Sequence, residues 1–241
     1  MNDVLKTDIG ATREINQDYL DKASNCDGDL IYILCDGMGG YKGGEIAAKE
    51  CSNCLKNSFM QSKFMDVNHA KDWLYHSIME ANKKILLLAQ ENSDYSKMGT
   101  TIICLIISKN FKIYANVGDS RIYSYGHREL QQLSEDQTFA NALLKAGYIN
   151  EKEAKIHPKK NLLISAIGSH EEDLDIQIRE VEGYNYLLCS DGLYNMVDKK
   201  DILKILNSEK TLQEKADKLI DLANCNGGKD NVSVILVEDS L

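Results

Sequence analysis

Basic charge is in short supply: 28 Lys and Arg stand against 37 Asp and Glu, leaving a formal charge of −9. That balance argues against a nucleic-acid partner, because the phosphate backbone rewards basic surfaces. Long apolar runs are also missing, and none approaches the roughly 18 residues a membrane helix needs. The opening MNDVLKTDIG has no apolar stretch behind a basic end, so it does not read as a signal peptide, and a cytoplasmic location without membrane contact is expected. The seven cysteines are odd in number and lie mostly inside apolar segments, as Cys35, Cys104 and Cys189 do, which reads as reduced core thiols rather than a disulfide framework. Cys51 and Cys54 form a C-x-x-C, but no second pair or histidine stands at ligand spacing, so the pair reads as one helix face against a core. Neither G-x-G-x-x-G nor G-x-x-x-x-G-K-[ST] occurs, which leaves a nucleotide-binding α/β domain unsupported. A Cys-x5-Arg nucleophile loop is absent too.

What is present is a chain of 241 residues, 43% hydrophobic and 27% charged, ordinary for a soluble globular enzyme with a substantial core. Its organising stretch runs from Ile31 to Gly40: a short apolar run, then Asp36, then three glycines within four residues. The run reads as a buried strand, and the glycines let the backbone turn and approach a ligand closely. A lone Asp-Gly is usually just a turn. Here the pattern recurs at Val117-Gly118-Asp119-Ser120, at Leu188-Cys189-Ser190-Asp191-Gly192, and at Gly227-Gly228-Lys229-Asp230-Asn231 before the apolar run Val232 to Val237. Four aspartates at strand ends suit a carboxylate centre for magnesium or manganese, and like charges so clustered repel unless cations neutralise them.

In chain order, Arg13 and Asp18 sit close together in a polar segment, as potential phosphate or metal partners. After the glycine loop, Gly44-Glu45 opens a helix with Ile46, Ala47, Cys51, Cys54 and Leu55 on one stripe. A second helix is predicted from Asn68 to Glu91, with Leu74, Ile78, Ala81, Ile85 and Leu88 at spacings of three and four. Ile102–Ile107 and Lys112–Val117 pair as a hairpin, and Ile122 to Tyr125 begins another strand. Ser134-Glu135-Asp136 reads as a helix cap before Phe139, Ala142, Leu143 and Ala146. Glu151 to His157 is a further helical turn stopped by Pro158, the sole proline. This polar insertion, residues 134–160, reads as a flap beside the site. A strand Tyr186 to Cys189, helices near Lys200–Leu206 and Leu212–Cys225, and a closing strand Val232 to Val237 complete the chain. There is no internal repeat or linker, and strands and helices interleave without regular alternation. The expectation is one α+β domain of antiparallel sheets with helices outside.

Taken together, these pieces resemble the protein phosphatase 2C-like family of metal-dependent serine/threonine protein phosphatases, in its bacterial form. The matching motifs appear in family order from about residue 10 to 231. They are Gly10-x-x-Arg13-x-x-Asn16-Gln17-Asp18, Asp36-Gly37-Met38-Gly39-Gly40 with Gly44-Glu45, and Gly99-Thr100-Thr101. Then come Gly118-Asp119-Ser120-Arg121, Ala166-Ile167-Gly168, Ser190-Asp191-Gly192-Leu193 and Gly228-Lys229-Asp230-Asn231. The resemblance implies an α+β fold, a two-sheet antiparallel β-sandwich flanked by helices (αββα), with the metal site at one end of the sandwich. It assigns Asp36 as the carboxylate bridging two metals, Gly37 as a backbone-carbonyl ligand, and Asp191 and Asp230 as ligands of the first metal. Asp18 acts through water held by the metal, Arg13 holds the substrate phosphate, and Asp119 pairs with Asp191 on a third, weaker ion. Two tight Mn2+ or Mg2+ ions, phosphoprotein substrates, an opposing bacterial-type Ser/Thr kinase and a monomeric chain are what it implies.

The sequence departs from the family at several points. Animal-type members carry a histidine in the glycine loop, where this chain has Met38, and the next candidate position is Tyr41. Leaving-group protonation then falls to water. Asp136-Gln137 stands where relatives commonly have Asp-His, and Ser165 where many have arginine, while every metal-ligand position is intact. His157, before Pro158, reads as structural. Two other functions compete: a narrow phosphatase for one regulatory protein, such as an anti-sigma-factor antagonist, and a metal-binding pseudoenzyme that docks phosphoproteins without turnover. Retention of all four strand-end aspartates and Arg13 speaks against the second.

Overall fold

The computed structural model describes residues 1–39, 43–95, 97–126, 128–169 and 174–238, so Gly40 and Tyr41 lie outside the described residues. The strands are β1 (Asn2–Asp8), β2 (Asp18–Ser24), β3 (Leu30–Met38), β4 (Gly99–Thr100), β5 (Ile102–Ile107), β6 (Lys112–Val117), β7 (Arg121–Gly126), β8 (Glu129–Gln132), β9 (Gln177–Glu180), β10 (Asn185–Cys189) and β11 (Val232–Glu238). The helices are α1 (Gly43–Met60), α2 (Val67–Glu91), α3 (Phe139–Lys145), α4 (Glu151–Ile156), α5 (Asp191–Tyr194), α6 (Lys199–Leu206) and α7 (Leu212–Cys225). One sheet has the order β1-β11-β10-β7-β8 and the other β2-β3-β5-β6-β9, with β4 paired to β3. All these pairings are antiparallel.

Alternation along the strands builds the layers, because successive side chains leave a strand on opposite faces. In β3, Ile31, Ile33 and Cys35 pack against α1 and α2, while Tyr32 and Leu34 face the other sheet. In β11, Val232, Val234 and Leu236 pack under α5, α6 and α7, while Ile235 and Val237 face inward between the sheets. The result is helix, sheet, sheet, helix. Burying each such Ile, Leu or Val contributes about 1.5–3 kcal/mol, so three apolar interfaces supply most of the driving force. Tyr114 and Tyr186 are buried between the sheets, and their hydroxyls still reach the Leu133 and Gly183 carbonyls at 2.8 and 3.0 Å. The helix stripes fall as their spacing predicts: Ala47, Cys51 and Leu55 of α1 and Leu74, Ile78, Ala81 and Ile85 of α2 are buried. Cys54 is half-buried on the same helix as Cys51.

Residues 18–24, in the polar segment after Arg13, form β2, an edge strand whose half-exposed face explains its polar composition. One expectation is corrected. Residues 134–136 do not cap α3; Thr138 does, its hydroxyl accepting from Asn141 N–H at 3.3 Å. Ser134 is instead buried, its hydroxyl accepting from Ile122 N–H, and Asp136 is engaged by Arg121. The inserted helices α3 and α4 lie between β8 and β9, but residues 134, 137 and 138 at their root are buried in the body of the protein. His157 Nδ1 accepts from the Lys159 N–H at 3.1 Å, a local turn contact.

Candidate active site

The two sheets bring the ends of their strands together at one edge of the sandwich. There β3 continues two residues past Asp36, since Gly37 and Met38 pair with Thr100 and Gly99 of β4. Asp18 of β2 lies directly opposite Asp36 in the register. Like charges facing each other across a ladder destabilise it, so this pair calls for a cation. Asp119 follows β6 at the crossing into β7, Asp191 is the first residue of α5 after β10, and Asp230 precedes β11. Asp36, Asp119, Asp191 and Asp230, with Arg13, Gly37 and Met38, line a cleft of about 590 Å3. Its opposite wall is residues 161–166, just beyond the stretch expected to act as a flap. None of residues 134–160 lines it.

Glycine is required where two backbones meet here. A Cβ on Gly37 would stand 2.1 Å from the Gly44 carbonyl oxygen, and one on Gly192 would stand 2.0 Å from that of Asn231. These contacts bring the loops bearing Asp36, Asp191 and Asp230 together. Supporting hydrogen bonds come from residues that carry no acid. Thr101 Oγ1 accepts from Asp36 N–H at 3.1 Å, and Ser190 Oγ donates to Asp18 Oδ2 at 2.7 Å. Asn231 Oδ1 accepts from Gln17 N–H, and its Nδ2 donates to the Ile9 and Ile15 carbonyls, which folds the Arg13 loop onto β11. Thr101, Ser190 and Asn231 were visible as motif members, but nothing local in the sequence gave them these tasks.

Electrostatically the cluster is under strain. Burial, then Asp18, Asp191, Asp119 and Asp230, push the Asp36 carboxyl well above its ordinary range. Burial and then Asp119, Asp230 and Asp18 raise Asp191 to about 8, with Arg13 opposing. Asp18 and Asp119 both rise to about 6, chiefly through burial. Asp18 Oδ1 is buried with no hydrogen-bond partner among the described residues. An orphaned carboxylate oxygen beside other acids is what an oxygen-seeking divalent ion and its waters would satisfy. Among the described residues, no three His, Cys, Asp or Glu side chains stand in a ready-made coordinating group. The acids line a cleft rather than converge on one point, which suits ions that keep several of their waters. Arg13 Nη2 pairs with Asp230 Oδ2 at 2.7 Å, and the Arg13 side chain is about half exposed at the rim. No helix among the described residues is long and apolar enough to cross a membrane.

Residues 11–224 match the family model described as protein phosphatase 2C. The chain is 37% identical to a serine/threonine phosphatase, stp, of Listeria monocytogenes, over 100% of this chain and 97% of that relative. Among solved structures it resembles the S. agalactiae serine/threonine phosphatase, with a TM-score of 0.93, 38% identity and 99% of both chains covered. It also resembles the catalytic domain of the serine/threonine protein phosphatase PstP in complex with two manganese ions, with a TM-score of 0.84, 30% identity, and 98% and 97% of the two chains covered.

Proposed function

This chain belongs to the protein phosphatase 2C family and is a serine/threonine protein phosphatase, and we propose that it hydrolyses phosphoserine and phosphothreonine in proteins at a centre of two manganese or magnesium ions. The observation that carries the reading is the cleft of strand-end aspartates in front of Asp18, whose buried Oδ1 has no partner among the described residues. Asp36, directly opposite Asp18 in the β2–β3 register, would be the carboxylate shared by both ions. Gly37 would offer its carbonyl, Asp191 and Asp230 would hold the first ion, and Asp18 would act through water. Such ions supply a water of lowered pKa and neutralise charge on both sides of an in-line displacement. Asp119, with Asp191, would hold a third and weaker ion.

The remaining work falls to the chain itself. Arg13 stands at the exposed rim, where its planar fork can exchange Asp230 for the oxygens of an incoming phosphate. Thr101 and Ser190 hold Asp36 and Asp18 in place before substrate arrives, so little reorganisation is needed during reaction. Met38 has no proton to give, so the departing serine or threonine oxygen takes its proton from water. A protein substrate reaches the acids past residues 161–166. The activity opposes a serine/threonine kinase of the bacterial type. The test is hydrolysis of phosphoserine and phosphothreonine peptides and of a chromogenic aryl phosphate with manganese, with magnesium and with excess chelator. Turnover with either ion, none in chelator, and insensitivity to thiol alkylation are expected. Robust turnover in excess chelator would end the reading.

A further inference from the structure

Asp119 occupies the tight turn by which the chain leaves β6 in one sheet and enters β7 in the other. Two side chains from distant segments hold that turn from opposite sides. Gln137 is 4% exposed, and its Oε1 accepts from Gly118 N–H at 2.6 Å while its own N–H donates to the Gly118 carbonyl at 3.0 Å. Its Nε2 is engaged as well, donating to the Asp175 carbonyl at 2.6 Å. On the other side, the Tyr194 hydroxyl donates to the Asp119 carbonyl at 3.0 Å. Tyr194 ends α5, the same short helix that Asp191 begins. The bond from Tyr194 therefore ties the Asp119 backbone to the helix that carries Asp191.

The two clamps are joined beneath the turn. The guanidinium carbon of Arg121 lies 3.4 Å from the centre of the Tyr194 ring, and Arg121 forks onto Asp136 at 2.9 and 2.5 Å. Asp136 directly precedes Gln137. The Gln137 carbonyl accepts from Ile164 N–H at 2.9 Å, and Ile164 lines the far wall of the cleft. A buried amide engaged at both ends, in a network that includes a partly buried ion pair, has one orientation available to it. That network runs without a break from the cleft wall to Asp119 and on to Asp191.

We infer that Tyr194 and Gln137 are positioning residues for the reaction, Tyr194 setting the separation of Asp119 and Asp191 and Gln137 holding the Asp119 turn against the wall that a protein substrate meets. This rests on the reading that Asp119 takes part in turnover. Tyr194→Phe keeps the ring on Arg121 and removes only the hydroxyl. Gln137→Leu removes both side-chain bonds at similar volume, and Gln137→Glu keeps an acceptor for Gly118. Each is measured with manganese on a phosphopeptide, alone and combined with Asp119→Ala, after a thermal melt. Tyr194→Phe and Gln137→Leu should each lower kcat about tenfold with KM little changed, the loss expected for one misplaced contact in the transition state. Gln137→Glu should recover part of it. In the Asp119→Ala background neither change should cost anything more, because the group they position is gone. In chelator, amide hydrogen exchange over residues 117–121 should be faster in both variants, a readout independent of bound metal. Equal losses in both backgrounds would make these residues general supports and overturn the inference. So would wild-type kcat in both folded variants, or unchanged protection of the turn. A folded Asp119→Ala with wild-type kcat would instead overturn the reading of Asp119 itself, and the inference with it.

Discussion

Replacing Asp191 by asparagine should make the metal-free protein more stable while weakening its hold on metal. The Asp191 carboxyl is pushed up from 3.8 to about 8 by burial and then by Asp119, Asp230 and Asp18. At 1.36 kcal/mol per pH unit, keeping it ionised above that pH costs roughly 5–6 kcal/mol. Partial exposure to the cleft screens some of this, and Asp191 also gains from its place at the start of α5, so a net relief of about 1–3 kcal/mol is expected. For a chain of this length that corresponds to a rise in Tm of about 3–8 °C. The sign follows from linkage. A carboxyl whose folded pKa is raised binds more protons when folded, so its stabilising contribution is complete below about pH 4 and is lost as pH rises towards about 8. The difference between Asp191→Asn and wild type in chelator should therefore be small at pH 5 and largest at pH 8.5. Excess manganese should reverse the order, because ions stabilise the wild type by mass action and the variant has lost a ligand. Differential scanning fluorimetry across pH, with and without manganese, reads all of this. A variant that melts below wild type in chelator at pH 8.5, or a difference that ignores pH, would refute the claim that repulsion among these acids is relieved by metal.

Asp36→Asn should eliminate turnover and weaken two manganese-binding steps together, whereas Asp230→Asn should weaken mainly one; titration calorimetry showing equal, independent losses would count against a shared carboxylate. Arg13→Ala should raise KM for phosphopeptides about tenfold or more, through lost phosphate contacts, and leave metal binding alone. If it loses metal instead, its bond to Asp230 matters more than its fork. Gly37→Ala should fail to fold normally or lose at least about 2–3 kcal/mol in denaturant melts, because its Cβ would meet the Gly44 carbonyl oxygen at 2.1 Å and only backbone could yield. A wild-type melt there would show that the loop has room to spare.

What could be read from the sequence and what could not divide along the range of the interactions involved. The buried strands β3, β5, β6 and β11 announce themselves by apolar runs, and their acids stand out because glycines flank Asp36, Asp119 and Asp191, and precede Asp230. Edge strands give no such signal. Asn2–Asp8 and Asp18–Ser24 are polar and half exposed, and only pairing with β11 and β3 makes them strands. Hence Asp18 could be suspected as a site residue, but its place opposite Asp36 depended on a register that no local pattern records. The stretch Ser134-Glu135-Asp136-Gln137-Thr138 makes the same point from the other direction. Three of its residues have capping side chains, and propensity alone favours the first. Tertiary partners decide otherwise: Ile122 takes Ser134, Arg121 takes Asp136, and Thr138 is left to start α3. The same holds for the hydrogen bonds that orient the acids. Ser190 reaches Asp18 across 172 residues of chain, and Thr101 reaches Asp36 across 65. The chemistry of the site is thus written in short motifs, while its geometry is held by long-range bonds, and substitutions in those supports should act through the distances between the acids.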